Sequence, residues 1–280
     1  MSRVRPASRV AAAALVALAA ANRSVVAAAP IVPAGTFADQ VVSYDPGANR
    51  FQFNLYTNPG AALGAPQTST GGAFVVTPFN NPFSRNDVVS VGLGGQITLR
   101  LARFAHPISG APEIGVFTFQ QFLQSTTGGT DTGPTLFYPS MRAKIDVSQD
   151  GGAWVALHDG NVTSFDIPAN AYRDPAATLL SDYGLPFTGG LDALRNRASF
   201  ADTLWAYQGS AGGTWIDISD TGLPEVAFVR FSVPPTDAFS FQLESVSVST
   251  AAAGAPTPEP GCTGLILFAW ICPRRPRRAV

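Results

Sequence analysis

Between residues 37 and 248 apolar and polar side chains alternate with a period of two, the spacing of strands that turn one face to a core. Ile97, Leu99 and Leu101 share one face, and Gln96, Thr98 and Arg100 share the other. Ala143, Ile145 and Val147 alternate in the same way with Arg142, Lys144 and Asp146. Further short runs are Val41-Val-Ser-Tyr44, Phe74-Val-Val76, Val88-Val-Ser-Val91, Val116-Phe-Thr-Phe119, Trp154-Val-Ala-Leu157, Trp215-Ile-Asp-Ile218 and residues 226–233. In a final run over 239–248, Phe239, Phe241 and Leu243 have one parity while Val246 and Val248 have the other, which predicts a bulge between Leu243 and Val246.

Turn residues punctuate these runs. Asp45-Pro-Gly47, Gly94-Gly95, Asp150-Gly-Gly152 and Asp159-Gly160 are tight-turn sequences, and Asp150-Gly between two alternating runs predicts a hairpin. About ten short strands so separated predict an all-β fold, a two-layer antiparallel β-sandwich of jelly-roll-like form. One short helix is expected over 200–207, with Ser199 as its N-cap and Gly209 just past its end. Residues 168–196 lack sustained alternation and are expected to form a long surface excursion. The sandwich is placed at 30–249, a linker at 250–257 and a tail at 258–280.

Composition supports a packed core. Of the 280 residues 46% are hydrophobic and 13% charged, and Gly and Pro number 27 and 23. The net charge of -1 conceals an uneven distribution. Arg3, Arg5, Arg9 and Arg23 precede residue 30, and Arg274, Arg275, Arg277 and Arg278 follow residue 257. Ten basic residues then face 18 acidic ones over 31–257, so the body carries about -8. An acidic body offers no basic stripe to displace phosphate counterions, which argues against nucleic acid as a partner. The body also lacks an uninterrupted apolar run of about 20 residues. The only cysteines, Cys262 and Cys272, lie in the tail, which removes disulfide and zinc scaffolds.

Both ends read as targeting segments. Arginines before residue 10, an apolar run over 10–21 and small residues at Ala27, Ala28 and Ala29 are the parts of a secretory signal peptide, with cleavage expected at those alanines. The tail runs from Pro258-Glu-Pro260 through an apolar stretch to the basic cluster, and Arg274, Arg275, Arg277 and Arg278 would act as a stop-transfer element. This order resembles the PEP-CTERM sorting signal of bacterial exported proteins, with Pro258, Glu259 and Pro260 as its motif. The resemblance implies handling by signal peptidase and by an exosortase, a membrane-embedded cysteine transpeptidase, with delivery to the cell surface or extracellular matrix. One departure is length. Cys262 to Cys272 spans 11 residues, roughly 16 Å as a helix against a hydrocarbon core of about 30 Å.

The body carries a second resemblance. Ala62-Leu-Gly-Ala-Pro66, Val76-Thr-Pro-Phe79, Asp87-Val-Val-Ser-Val91, Gly94-Gly-Gln-Ile-Thr-Leu-Arg100, Val147-Ser-Gln-Asp-Gly151, Gly209-Ser-Ala-Gly-Gly-Thr-Trp-Ile-Asp217 and Val226-Ala-Phe-Val-Arg-Phe231 resemble blocks of exported planctomycete-type PEP-CTERM sandwich proteins. These are structural residues, and the resemblance implies a fold rather than an activity.

Candidate chemistry is sparse. The sequence holds no nucleophile elbow, zinc-protease motif, phosphate loop or dinucleotide fingerprint. His106 and His158 read as surface polar residues. Asp146, Asp150, Asp159, Asp217 and Asp220 are read as turn carboxylates, the hard oxygen donors that calcium takes, although Asp in a turn ordinarily closes an Asx-turn. Trp154, Trp205 and Trp215 are expected in the sandwich core. The alternative is an exposed carbohydrate platform of Trp205, Tyr207 and Trp215 with Tyr172 and Tyr183. The expected function is that of an exported, non-enzymatic surface or matrix protein, an adhesive or glycan-contacting module without a catalytic site or an obligatory cofactor. The alternative is a secreted polysaccharide-active hydrolase using paired carboxylates.

Overall fold

The computed structural model describes residues 36–48, 56–71, 74–123, 135–136, 141–195, 197–238 and 240–256. The alternating runs fold into strands: β1 (Ala38–Asp45), β2 (Val89–Val91), β3 (Gln96–Ala105), β4 (Ile114–Thr118), β5 (Arg142–Ser148), β6 (Val155–Ala156), β7 (Thr163–Ser164), β8 (Thr214–Ile216), β9 (Val226–Ser232), β10 (Phe241–Val248) and β11 (Ala253–Pro256). One antiparallel sheet runs β1-β3-β9-β5-β6, with β11 beside β3 and β7 beside β5, and the other runs β2-β10-β4-β8. The chain is therefore an all-β sandwich. Its inner faces meet as the periodicity requires: Ile97, Leu99, Leu101, Ile145, Val147, Val229 and Phe231 share one buried cluster with Val89, Val91, Ile114, Val116, Leu243, Val246 and Val248. Each such side chain taken out of water stabilises the fold by about 1.5–3 kcal/mol.

Local features follow their sequence signals. In β10 the register against β4 shifts between Leu243 and Ser245, where the change of parity predicts a bulge. The Asp150 turn joins β5 to β6, with Asp146 opposite Ala156 and Val147 opposite Val155. Asp150 Oδ1 accepts from the N–H groups of Gly152 and Ala153 at 2.8 and 3.0 Å. At the other end of the sheet, the Asp45-Pro-Gly47 and 92–95 turns press together. A Cβ on Gly47 would stand 2.5 Å from Gly95 N, and the φ of Gly47 is +64°, so glycine is required twice over.

The outer face of the larger sheet is a charged ladder. Arg230 on β9 lies directly opposite Asp146 on β5, donates to its Oδ2 at 3.0 Å, and stacks 4.2 Å from the Trp154 ring. Asp146 is thus a strand residue and not the turn carboxylate expected. On β1, Ala38 faces Leu101 and Gln40 faces Arg100, so Asp39 is the extra residue of a bulge. Its carboxylate accepts from Arg100 Nε and Nη2 at 3.0 and 2.8 Å.

Three expectations change. Besides the predicted helix, α2 (Phe200–Ala206), a second short helix, α1 (Gly190–Leu194), forms within the excursion. Residues 253–256, read as linker, pair with β3, and Arg103 Nη1 donates to Gly254 O at 3.0 Å. Pro and Ala disguised the segment, which pairs with β3 and packs Ala253 against the main core. The excursion itself covers the outer face of the smaller sheet. Ala169, Ala171, Tyr172 and Tyr183 are buried with Phe37, Val76 and Phe117 in a second apolar cluster. Its lack of alternation reflects packing without strand pairing.

Candidate ligand-binding groove

Two loops and a helix end build an open groove in the covering layer. Residues 69 and 75 form an antiparallel bridge, and Thr70 N donates to Phe74 O at 2.9 Å, which fixes the backbone beneath the Phe74 ring. Thr77 and Asn80 then exchange backbone hydrogen bonds at 3.0 Å in each direction, setting their side chains beside each other. From across the groove α2 supplies Phe200 at its first position. Ser199 caps this helix, its Oγ accepting from Asp202 N at 3.1 Å and donating to Asp202 Oδ2 at 2.7 Å. Phe79 is wedged between Phe122 and Phe200, with ring centroids 5.7 and 6.0 Å away.

Phe74, Thr77, Phe79, Asn80 and Phe200 line an open groove of about 420 Å³, within the volume range of small-molecule sites. Phe74 is 70% exposed, the most open of the large apolar side chains described. Asn80 Nδ2 donates to Val75 O at 3.1 Å and Thr77 Oγ1 accepts from Phe79 N at 3.3 Å, leaving the amide oxygen and the hydroxyl proton for a ligand. No ionisable side chain is among these lining residues. The groove therefore offers ring faces and neutral hydrogen-bonding groups, the means of binding rather than of proton transfer. Replacing Ser199 with Ala removes the cap that positions Phe200. The expected cost is about 1 kcal/mol and a melting temperature lower by roughly 2–4 °C in thermal unfolding.

The aromatic set read from the sequence divides. Trp205 is 64% exposed on α2 rather than core, because the helix lies on the covering layer with Leu204 turned inward. Trp215 is half-buried, its Nε1 donating to Gly212 O at 2.9 Å, and its indole lies so close to Gly115 that a Cβ there would come within 2.8 Å. Trp154 is also only partly covered, under Arg230. Conversely, Tyr172, Tyr183 and Tyr207 are buried, and the Tyr207 hydroxyl donates to Pro168 O at 3.1 Å. They belong to the covering layer's core and form no platform. In the sequence the groove aromatics Phe74, Phe79 and Phe200 fall in a strand run, a structural block and a helix. Their one usable signal is the order of residues itself, Phe74 following Gly-Gly-Ala with Pro78-Phe79 soon after.

His106 and His158 are exposed, contacting Pro224 O at 3.3 Å and Thr163 Oγ1 at 2.6 Å through Nδ1. Asp217 Oδ1 accepts from Ser219 N at 2.7 Å, closing an Asx-turn. Among the described residues no three His, Cys, Asp or Glu side chains converge to hold a metal ion. Pro258, Glu259, Pro260, the tail arginines and Ala27, Ala28 and Ala29 lie outside the described residues. Among those described, no helix is long and apolar enough to cross a membrane.

Two carboxyls are sealed inside instead. Glu113 accepts from Ile218 N at 2.9 Å and from Ile108 N, tying two loops to β4, and burial pushes its carboxyl up. Glu244 on β10 is 2% exposed beneath the covering layer. Its Oε1 accepts from Gln67 N at 2.7 Å, while Oε2 has no hydrogen-bond partner. Burial, aided by the charge of Asp87 and opposed by the Gln67 bond, pushes this carboxyl up to about 8. Compared with known proteins, the chain matches no family model and none of the curated proteins.

Proposed function

We propose that this chain is an exported, non-enzymatic protein of the cell surface or extracellular matrix, a sandwich module that contacts glycan or another matrix component. The observation that carries the binding reading is the groove of Phe74, Phe79 and Phe200, whose lining has aromatic faces and no ionisable group. A hydrolase would need two reachable carboxyls facing one cleft. Among the described residues the charge of Asp87 helps to raise Glu244 and that of Asp217 helps to raise Glu113, and in both cases the glutamate is buried away from any cleft.

Routing is supported by the PEP-CTERM-like order of the tail, Pro258-Glu-Pro260 followed by an apolar run and four arginines, together with the signal-like start. On this reading signal peptidase cuts near Ala27 to Ala29 and an exosortase-type transpeptidase handles the tail. Replacing Pro258, Glu259 and Pro260 with alanines is expected to move the protein from the surface or matrix fraction to the membrane. Fractionation of cells expressing the native and triple-alanine chains measures this, and an unchanged distribution would sink the sorting route.

A further inference from the structure

We infer that the groove between Phe74, Phe79 and Phe200 is a binding site for a neutral polysaccharide chain. Sugar C–H faces stack on the phenyl rings, and ring hydroxyls bond Thr77 Oγ1 and the Asn80 amide. This deepens the binding reading above and rests on it.

Three observations select this ligand. The first is the mixture of groups: a purely apolar partner would desolvate the Thr77 hydroxyl proton and the Asn80 amide oxygen without pairing them, whereas a sugar presents an apolar face and hydroxyls together. Charge is the second. With no ionisable lining residue and a body of ten basic against 18 acidic residues, an anionic polymer meets repulsion and no compensating cation. The third is rigidity. Phe79 is held between two rings, the Thr77 and Asn80 side chains each keep a local hydrogen bond, and α2 is capped, so the ordering cost of binding falls mainly on the exposed Phe74 ring. Because the groove is open rather than enclosed, it suits an internal stretch of a long chain.

Affinity electrophoresis and calorimetry on the full-length chain test this, with xyloglucan and mixed-linkage β-glucan as neutral probes and polygalacturonate as the anionic one. At least one neutral polymer should bind, and polygalacturonate should not. Phe74→Ala is expected to weaken neutral binding about fivefold to tenfold, the loss of one ring stack. Phe74 is 70% exposed, so the variant should fold normally. Trp205→Ala, an exposed aromatic outside the groove lining, should leave affinity unchanged. Neutral binding that ignores Phe74→Ala but is lost in Trp205→Ala overturns the groove while the binding reading stands. Tighter binding of polygalacturonate overturns the ligand class. Failure of both neutral polymers overturns the groove and the glycan reading together, leaving the sorting route to its own test.

Discussion

Relative to the native chain, Glu244→Gln is expected to gain roughly 3–5 kcal/mol of stability between pH 5 and pH 9. In the folded protein the carboxyl titrates at about 8 because it is buried, whereas in the unfolded chain it returns to an ordinary value near 4.5. Between those two values the folded state keeps a proton that the unfolded state has released. The unfolded state binds fewer protons in that window, so stability falls as pH rises through it and levels off above about 8. Glutamine keeps an acceptor for Gln67 N–H and cannot ionise, so its contribution does not change with pH. Urea unfolding of native and variant chains at pH 5, 7 and 9 measures the difference. Glu113, also pushed up by burial, affects both chains alike and cancels, whereas Asp87, whose charge helps to raise Glu244, belongs to the difference being measured. Parallel curves across the whole range would show that Glu244 does not carry the effect.

Truncating Phe165 to Ala is expected to cost about 3–5 kcal/mol, the usual range for a buried phenylalanine. This ring is fully buried just after β7, with centroids 5.0 Å from Phe241 on one sheet and 6.0 Å from Phe231 on the other. It therefore fills the space between the two sheets, and its backbone N–H is tied to Met141 O at 2.7 Å. Removing it leaves a void that two opposed sheets cannot close without moving. The denaturant midpoint should fall with an unchanged slope, and Phe165→Leu should recover most of the loss. A loss below about 1 kcal/mol for the alanine variant would show that the sheets repack freely.

The strands were legible because one face of each meets the opposite sheet, and the bulge in β10 was legible because parity must change where a residue is added. Phe165 was not, since it stands alone between short segments and no period announces it. Misreadings gathered where a third layer intervenes. On β10 the alternation marks Gln242, Glu244 and Ser247 as outward, yet they are buried, because alternation reports which sheet face a residue takes and not whether that face meets water. The same layer decides the fate of the aromatics. Tyr172 and Tyr183 face the sheet and Trp205 faces away, a choice set by tertiary packing and invisible in local composition. The groove was illegible for a related reason: Phe74 and Phe200 are 126 positions apart in the chain.

The bulges in β1 bear on behaviour in a crowd. Among the described residues this strand ends the run β1-β3-β9-β5-β6, and its register breaks between Ala38 and Gln40 and again between Val41 and Ser43. A strand from a neighbouring molecule arriving there meets a template interrupted every two or three residues, too short to zip. Molecules at high concentration would thus be kept from fusing sheet to sheet along this strand, and any assembly there would depend on side chains rather than backbone.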